Sequence, residues 1–212
     1  MDFIANHLYH IYNQGNNRQP IFFNHGNYLY FLEKIKSHVA PYCHIMAWCL
    51  MPNHFHFLIG TDERSTMIKQ IGSVKTTALG NGFRVMESSY CRGVNRQQKR
   101  SGSLFRQHTK AKCLTEEAFD FAAEPFMSAP DFLNIYPAVC FHYIHQNPVK
   151  ARLVSSDVEW EFSSLRDYWG LRNGKLCNFE LAQRWVGIQL EEVKSQHPVA
   201  LEERQVAFLF VD

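Results

Sequence analysis

Apolar and polar positions change period several times along the chain, and each change predicts an element. The segment HLYHIYNQGNN (7–17) alternates Leu8, His10 and Tyr12 against His7, Tyr9 and Ile11, then breaks at Gly15 and two asparagines. That pattern predicts a strand entering a turn. From Asn24 to about His38, Tyr28, Phe31, Leu32 and Ile35 recur at helical spacing opposite Glu33, Lys34 and Lys36, and Pro41 ends the run. The apolar runs 42–51 and 54–60 have strand length and strand residue types, and Pro52 and Asn53 between them predict a hairpin. Met67, Ile68, Ile71, Val74, Lys75 and Leu79 then predict a second helix, stopped by Gly80, Asn81 and Gly82. The stretch to about residue 112 reads as polar and irregular, closing on a fourth strand in SLFRQHTKAKCL (103–114).

Residues 115–130, with Pro125 and Pro130, read as a variable connection in which FDFAAEPFM suits a short helix. A third helix is expected to carry Pro137 in its first turn and to close at Asn147, because Pro148 disfavours helical geometry at its predecessor. The remainder reads as an appendage of short amphipathic pieces, which divides the chain into a core domain over 1–170 and a C-terminal extension over 171–212 packed on it. The order strand, helix, strand, strand, helix, strand, helix is that of an α+β sandwich, with helices covering a mainly antiparallel sheet.

At 212 residues and 46% hydrophobic content the chain can bury one good core. A formal net charge of +2 points to no partner by itself, so any nucleic-acid argument depends on where charge is placed. Six cysteines lie far apart with no CxxC pair, and the start MDFIANHLYHIYNQ lacks the flank and apolar run of a signal peptide. Reduced thiols and a soluble cytoplasmic protein are expected. No stretch approaches the roughly 18 uncharged apolar residues of a membrane span.

In a strand, alternate side chains share a face, so His54 and His56 point one way and Phe55, Phe57 and Ile59 the other. Their bases stand about 6–7 Å apart, close enough for both rings to reach one ion. Taken alone, an HxH pair is more often solvent-facing or a satisfied buried contact. The odds shift with Tyr143 and Asn147, four residues apart and so on one face of the third helix. If that face lies over the histidines, the Asn147 oxygen completes a metal site and brings Tyr143 beside it. Neutral imidazoles, an amide oxygen and waters suit exchangeable Mg²⁺ or Mn²⁺, whereas structural zinc normally recruits thiolates. A phenol with a pKa near 10 is a weak nucleophile at neutral pH, so attack on a phosphodiester needs such help.

Charge placement adds a third feature. Between Arg84 and Lys112 lie Arg84, Arg92, Arg96, Lys99, Arg100, Arg106, Lys110 and Lys112, with Glu87 the only acid. This run reads as a basic loop for phosphates, with Tyr90 and Phe105 stacking on unpaired bases and Lys150 and Arg152 extending the surface.

Five colinear stretches, YHIYNQGNNRQPIFF (9–23), AWCLMPNHFHFLI (47–59), SLFRQHTKAK (103–112), YIHQNPVKARLV (143–154) and WEFSSLRDYWG (160–170), carry a family resemblance. The sequence resembles the REP-associated tyrosine transposases, relatives of the small single-tyrosine HUH transposases of insertion sequences. The resemblance implies a ferredoxin-like HUH fold, a metal held by His54, His56 and Asn147, and Tyr143 as nucleophile. It also implies single-stranded DNA with imperfect hairpins as substrate, cut beside the hairpin foot through a 5′-phosphotyrosine. The turn GNNRQ, with Asn16, Asn17 and Arg18, would then handle DNA together with the basic loop. Relatives of this kind include monomers and dimers that complete each other's active sites, so a homodimer exchanging the Tyr143 helix is one alternative. Another is a hairpin-binding module or domesticated regulator that has lost turnover. A third is a structural metal site in an unrelated small domain.

Overall fold

A computed structural model describes residues 2–115, 136–195 and 200–210. Its central sheet has the strands β1 (Leu8–Gln14), β2 (His44–Met51), β3 (His54–Gly60) and β6 (Lys110–Cys113) in the order β2-β3-β1-β6. Every pairing in it is antiparallel. The β2–β3 hairpin turns on Pro52 and Asn53 as expected, and the turn is tied down from outside. Gly15 N–H donates to the Asn53 carbonyl at 2.8 Å and Ile21 N–H to that of Pro52 at 2.8 Å. In the β1–β3 register Tyr12 faces His56 and Gln14 faces His54. Opposed residues of an antiparallel pair share a face, so Leu8, His10 and Tyr12 lie on the same side of the sheet as His54 and His56.

The other side, carrying Phe55 and Phe57, is covered by α1 (His25–His38) and α3 (Ala78–Gln97). Asn24 caps α1 by accepting from Asn27 N–H, and the helix buries Tyr28, Phe31 and Ile35. Thr77 caps α3 by accepting from Gly80 N–H at 3.1 Å. Leu79, Phe83, Met86, Tyr90 and Val94 form the buried stripe of α3. The histidine side is crossed by α4 (Tyr136–Lys150), which packs on β2, β3 and β1. Among the described residues after 170, Cys177, Ala182, Trp185, Val186, Ile188 and Leu209 are buried, and the helix Glu203–Phe208 packs against α4. Among the described residues no helix is long and apolar enough to cross a membrane. All six cysteines are unpaired with one another.

Four expectations need correction. The helix over Met67–Leu79 is instead a short helix α2 (Glu63–Thr66) followed by a two-stranded ribbon, β4 (Ile68–Ile71) and β5 (Val74–Thr77). Met67, Ile68 and Val74 are exposed there, so their helical spacing corresponds to no buried face. The glycine cluster taken as a stop lies in the first two turns of α3, where Gly82 is required for close packing. A Cβ at Gly82 would collide with the backbone carbonyl of His38. The "irregular" stretch from 80 is therefore mostly a 20-residue helix, and the cations Arg84, Arg92 and Arg96 are on it rather than on a loop. The strand expected over 103–114 is confined to Lys110–Cys113, with a single bridge between Gly15 and Phe105. The Tyr143 helix runs through Pro148 to Lys150. Proline there removes only one hydrogen bond, close to the helix end, and Leu153 N–H caps its carbonyl at 2.9 Å. The connection expected over 115–130, and the short helix expected within it, lie outside the described residues apart from Thr115.

Candidate active site

Strand alternation aims His54 and His56 into a cleft of about 400 Å³, whose lining also includes Tyr12, Arg106, His108, Lys110, Tyr143 and Phe210. The two imidazole centroids are 5.0 Å apart. Helix α4 delivers Tyr143 within the same chain, its ring 5.6 Å from that of His56 and nearly perpendicular to it. One turn on, Asn147 is buried, and its Nδ2 donates to the Tyr143 carbonyl at 2.8 Å. The carboxamide also interacts with the His54 ring and the Tyr143 phenol. The four side chains that spacing singled out are thus brought together.

Burial sets their protonation. It lowers His54 to about 4, against the opposing effect of Asn147, and pushes His56 well below the usual imidazole range, with His10 and His54 adding to the effect. Both rings are therefore neutral near pH 7, with lone pairs to offer. Burial also raises the Tyr143 phenol to about 12, while Asn147 opposes that rise. The Lys150 ammonium stands 5.3 Å from the centre of the Tyr143 ring, and burial lowers its pKa.

These groups suit a divalent cation. His56 Nε2 is buried and lacks a hydrogen-bond partner among the described residues, a costly state for a ring nitrogen unless a ligand takes it up. The His54 Nδ1 is engaged by Asn53 Oδ1 at 2.6 Å, which directs the proton to that side and leaves Nε2 as the acceptor. Among the described residues no set of three or more His, Cys, Asp or Glu side chains is grouped to hold a metal. Beside the histidine pair the Asn147 carboxamide, against the His54 ring, offers an oxygen.

The cations divide into groups. Arg106 and Lys110 line the cleft, and Lys150 adjoins Tyr143. The segment carrying Arg106 is held by Asn13, whose Nδ2 donates to the half-buried Glu87 at 3.0 Å, to Thr109 at 2.9 Å and to the Arg106 carbonyl at 3.3 Å. Burial raises the Glu87 carboxyl even though Thr109 and Asn13 both donate to it. Asn16, Asn17 and Arg18 form a tight turn after β1, and Asn16 Nδ2 donates to the Ser103 carbonyl at 3.3 Å. Arg92 and Arg96 form an exposed group on α3 beside Tyr30, outside the cleft. Lys99 and Arg100 follow α3 and Arg152 follows α4, and none of them lines the cleft. Tyr90 and Phe105 are not available for base stacking. Both are core residues, and the Tyr90 hydroxyl donates to the Ile21 carbonyl at 2.7 Å.

Several residues at the site were not singled out by spacing. His10 and Tyr12 share the histidine face, a placement that follows only once the β1–β3 register is known. Phe210 packs edge-on against Tyr12, Tyr143 and His10 at 5.1, 5.3 and 5.6 Å between centroids. No periodicity in the sequence signals it.

The family model described as "Transposase IS200 like" matches residues 3–111. That span includes His54 and His56 and stops short of Tyr143. No curated protein matches the chain by sequence. Among solved structures, a REP-associated tyrosine transposase bound to a REP hairpin is similar at a TM-score of 0.53 and 15% identity, covering 84% of this chain and 92% of that one. The likeness establishes a shared fold, an α+β core around an antiparallel four-stranded sheet.

Proposed function

The chain belongs to the IS200-like transposase family, and on that premise we propose that it nicks single-stranded DNA and transfers the strand through a 5′-phosphotyrosine on Tyr143. The convergence of Tyr143, His54 and His56 on one cleft lined by Arg106 and Lys110, with Asn147 against His54 and Tyr143, carries the reading. The Tyr143 phenolic oxygen bonds to phosphorus as the P–O3′ bond breaks. The phenol gives up its proton to water in the open cleft, and the departing 3′-oxygen takes one up. The new ester conserves the energy of the old one, so a 3′-hydroxyl from another strand can attack it, rejoin the DNA and restore the phenol without ATP. His54, His56 and Asn147 would hold a Mg²⁺ or Mn²⁺, which would supply charge stabilisation for the displacement. Arg106, Lys110 and Lys150 neutralise phosphates flanking the cut. Arg92, Arg96, Lys99, Arg100 and Arg152, with the Asn16–Arg18 turn, bind the backbone farther away.

The substrate is proposed to be a single strand bearing an imperfect hairpin. The hairpin-bound structural neighbour and the separation of the cations into cleft and outer groups both favour this. The packing of Phe210 over the nucleophile favours a second reading, in which the chain binds hairpins without turning over. Incubation with hairpin-bearing single strands and Mn²⁺, followed by recovery of protein-linked DNA, separates the two. Wild type forming an adduct that Tyr143→Phe cannot form, with equal hairpin binding, supports the transferase. Wild type that binds and never forms an adduct supports the binding module.

A further inference from the structure

We propose that His10 is a positioning residue for His56: it holds the proton on His56 Nδ1 and so turns His56 Nε2 into a lone-pair donor facing the cleft. The inference rests on the reading of His54 and His56 as metal ligands for its consequence, but the hydrogen-bond chain stands on its own geometry. His10 Nδ1 lies 3.3 Å from the Leu209 carbonyl oxygen. A carbonyl only accepts, so this nitrogen is the one that carries the proton. In a neutral ring His10 Nε2 is then bare, and it lies 2.9 Å from His56 Nδ1. His56 Nδ1 therefore donates, and the remaining nitrogen, His56 Nε2, is the buried atom without a partner among the described residues. Each bond direction follows from the one before it, starting from a peptide oxygen that cannot reverse.

The pair is also mechanically fixed. His10 is fully buried, its ring lying edge to edge and nearly coplanar with that of His56, 5.1 Å between centroids, and nearly parallel to that of Tyr12 at 4.8 Å. His54 has a shorter version of the same device in its bond to Asn53. The donor orientation of both histidines is thus set by groups that do not themselves face the metal position. The His56 branch ends on Leu209, far along the chain. Partners that hold the outer nitrogen of a metal-binding imidazole are typically worth about 10–100-fold in metal affinity.

The test uses the full chain labelled with ¹⁵N, free of metal at pH 8, and reads imidazole tautomers by long-range ¹H–¹⁵N correlation alongside Mn²⁺ affinity by electron paramagnetic resonance. Wild type is expected to show His56 protonated at Nδ1. His10→Phe should lose that single tautomer and bind Mn²⁺ about 10–100-fold more weakly. His10→Gln, whose oxygen can accept from His56 and whose amide can donate to Leu209, should retain both properties. A wild-type His56 protonated at Nε2, or a folded His10→Phe with wild-type Mn²⁺ affinity, overturns the proposal. If His10→Phe fails to fold, the wild-type tautomer and the His10→Gln affinity still decide it. If His54→Ala and His56→Ala leave Mn²⁺ binding unchanged, the metal reading of the site falls, and the wild-type tautomer alone decides the role of His10.

Discussion

Lowering the pH from 8 to 5 without metal is expected to destabilise the fold, and His10 alone should account for about 2 kcal/mol of the loss. An unperturbed imidazole titrates at 6.5, and burial lowers that of His10 to about 4 in the folded chain. Between those values the unfolded chain binds a proton that the folded chain refuses. Unfolding then takes up protons, so stability falls as pH falls through 6.5 and the loss is complete below the folded value. The full gap is worth about 3 kcal/mol, and about 2 kcal/mol of it is expressed by pH 5. With a urea slope of about 2 kcal/mol/M, the unfolding midpoint moves down by about 1 M. His54 and His56, also lowered by burial, act in the same direction, whereas Glu87, raised by burial, acts against them. The comparison that isolates His10 is His10→Gln, which has nothing to titrate there. Urea melts at both pH values should show its midpoint falling about 1 M less than that of wild type. A flat wild-type midpoint, or equal falls in the two proteins, refutes the buried neutral imidazole.

Gly82→Ala should destabilise by about 1–3 kcal/mol in a thermal melt, because its methyl meets the His38 carbonyl and outweighs the gain of about 1 kcal/mol in helix propensity. A stabilised variant would mean that α1 and α3 are not in close contact. Arg106→Ala, at the cleft, should slow nicking more than it weakens hairpin binding. The double variant Arg92→Ala and Arg96→Ala should weaken binding and flatten its salt dependence, with little change in the rate of the bound complex. Chelation should abolish nicking and leave the melting temperature nearly unchanged, with Mn²⁺ restoring activity. A collapse of the melting temperature would instead point to a structural metal.

How far each feature could be read from the sequence follows from how local its cause is. The alternation in residues 7–14 and 54–60 and the Pro52–Asn53 turn are local, and β1 and the β2–β3 hairpin appear where they were expected. The convergence of Tyr143 and Asn147 on the histidines needed only helix and strand periods plus one assumption about which faces meet. The ribbon at 68–77 misled because Met67, Ile68 and Val74 mimic a helical stripe while remaining exposed. Gly80 and Gly82 misled in the opposite sense. Glycine usually ends a helix, and at Gly82 the approach of the His38 backbone explains it inside one. His10 and Phe210 depend on strand register and on chain returning from beyond residue 200, neither of which any window of sequence contains.

The cleft is built from side chains on β1, β3, the segment before β6, α4 and the stretch around Phe210, so its members meet only after the whole chain has closed around the sheet. A half-folded or partly opened copy keeps its cations, and with them its attraction to nucleic acid, yet lacks an assembled blade. The proposed strand scission, the hazardous ability, would thereby be reserved for finished molecules, and heating should extinguish it in step with the main unfolding transition rather than after it.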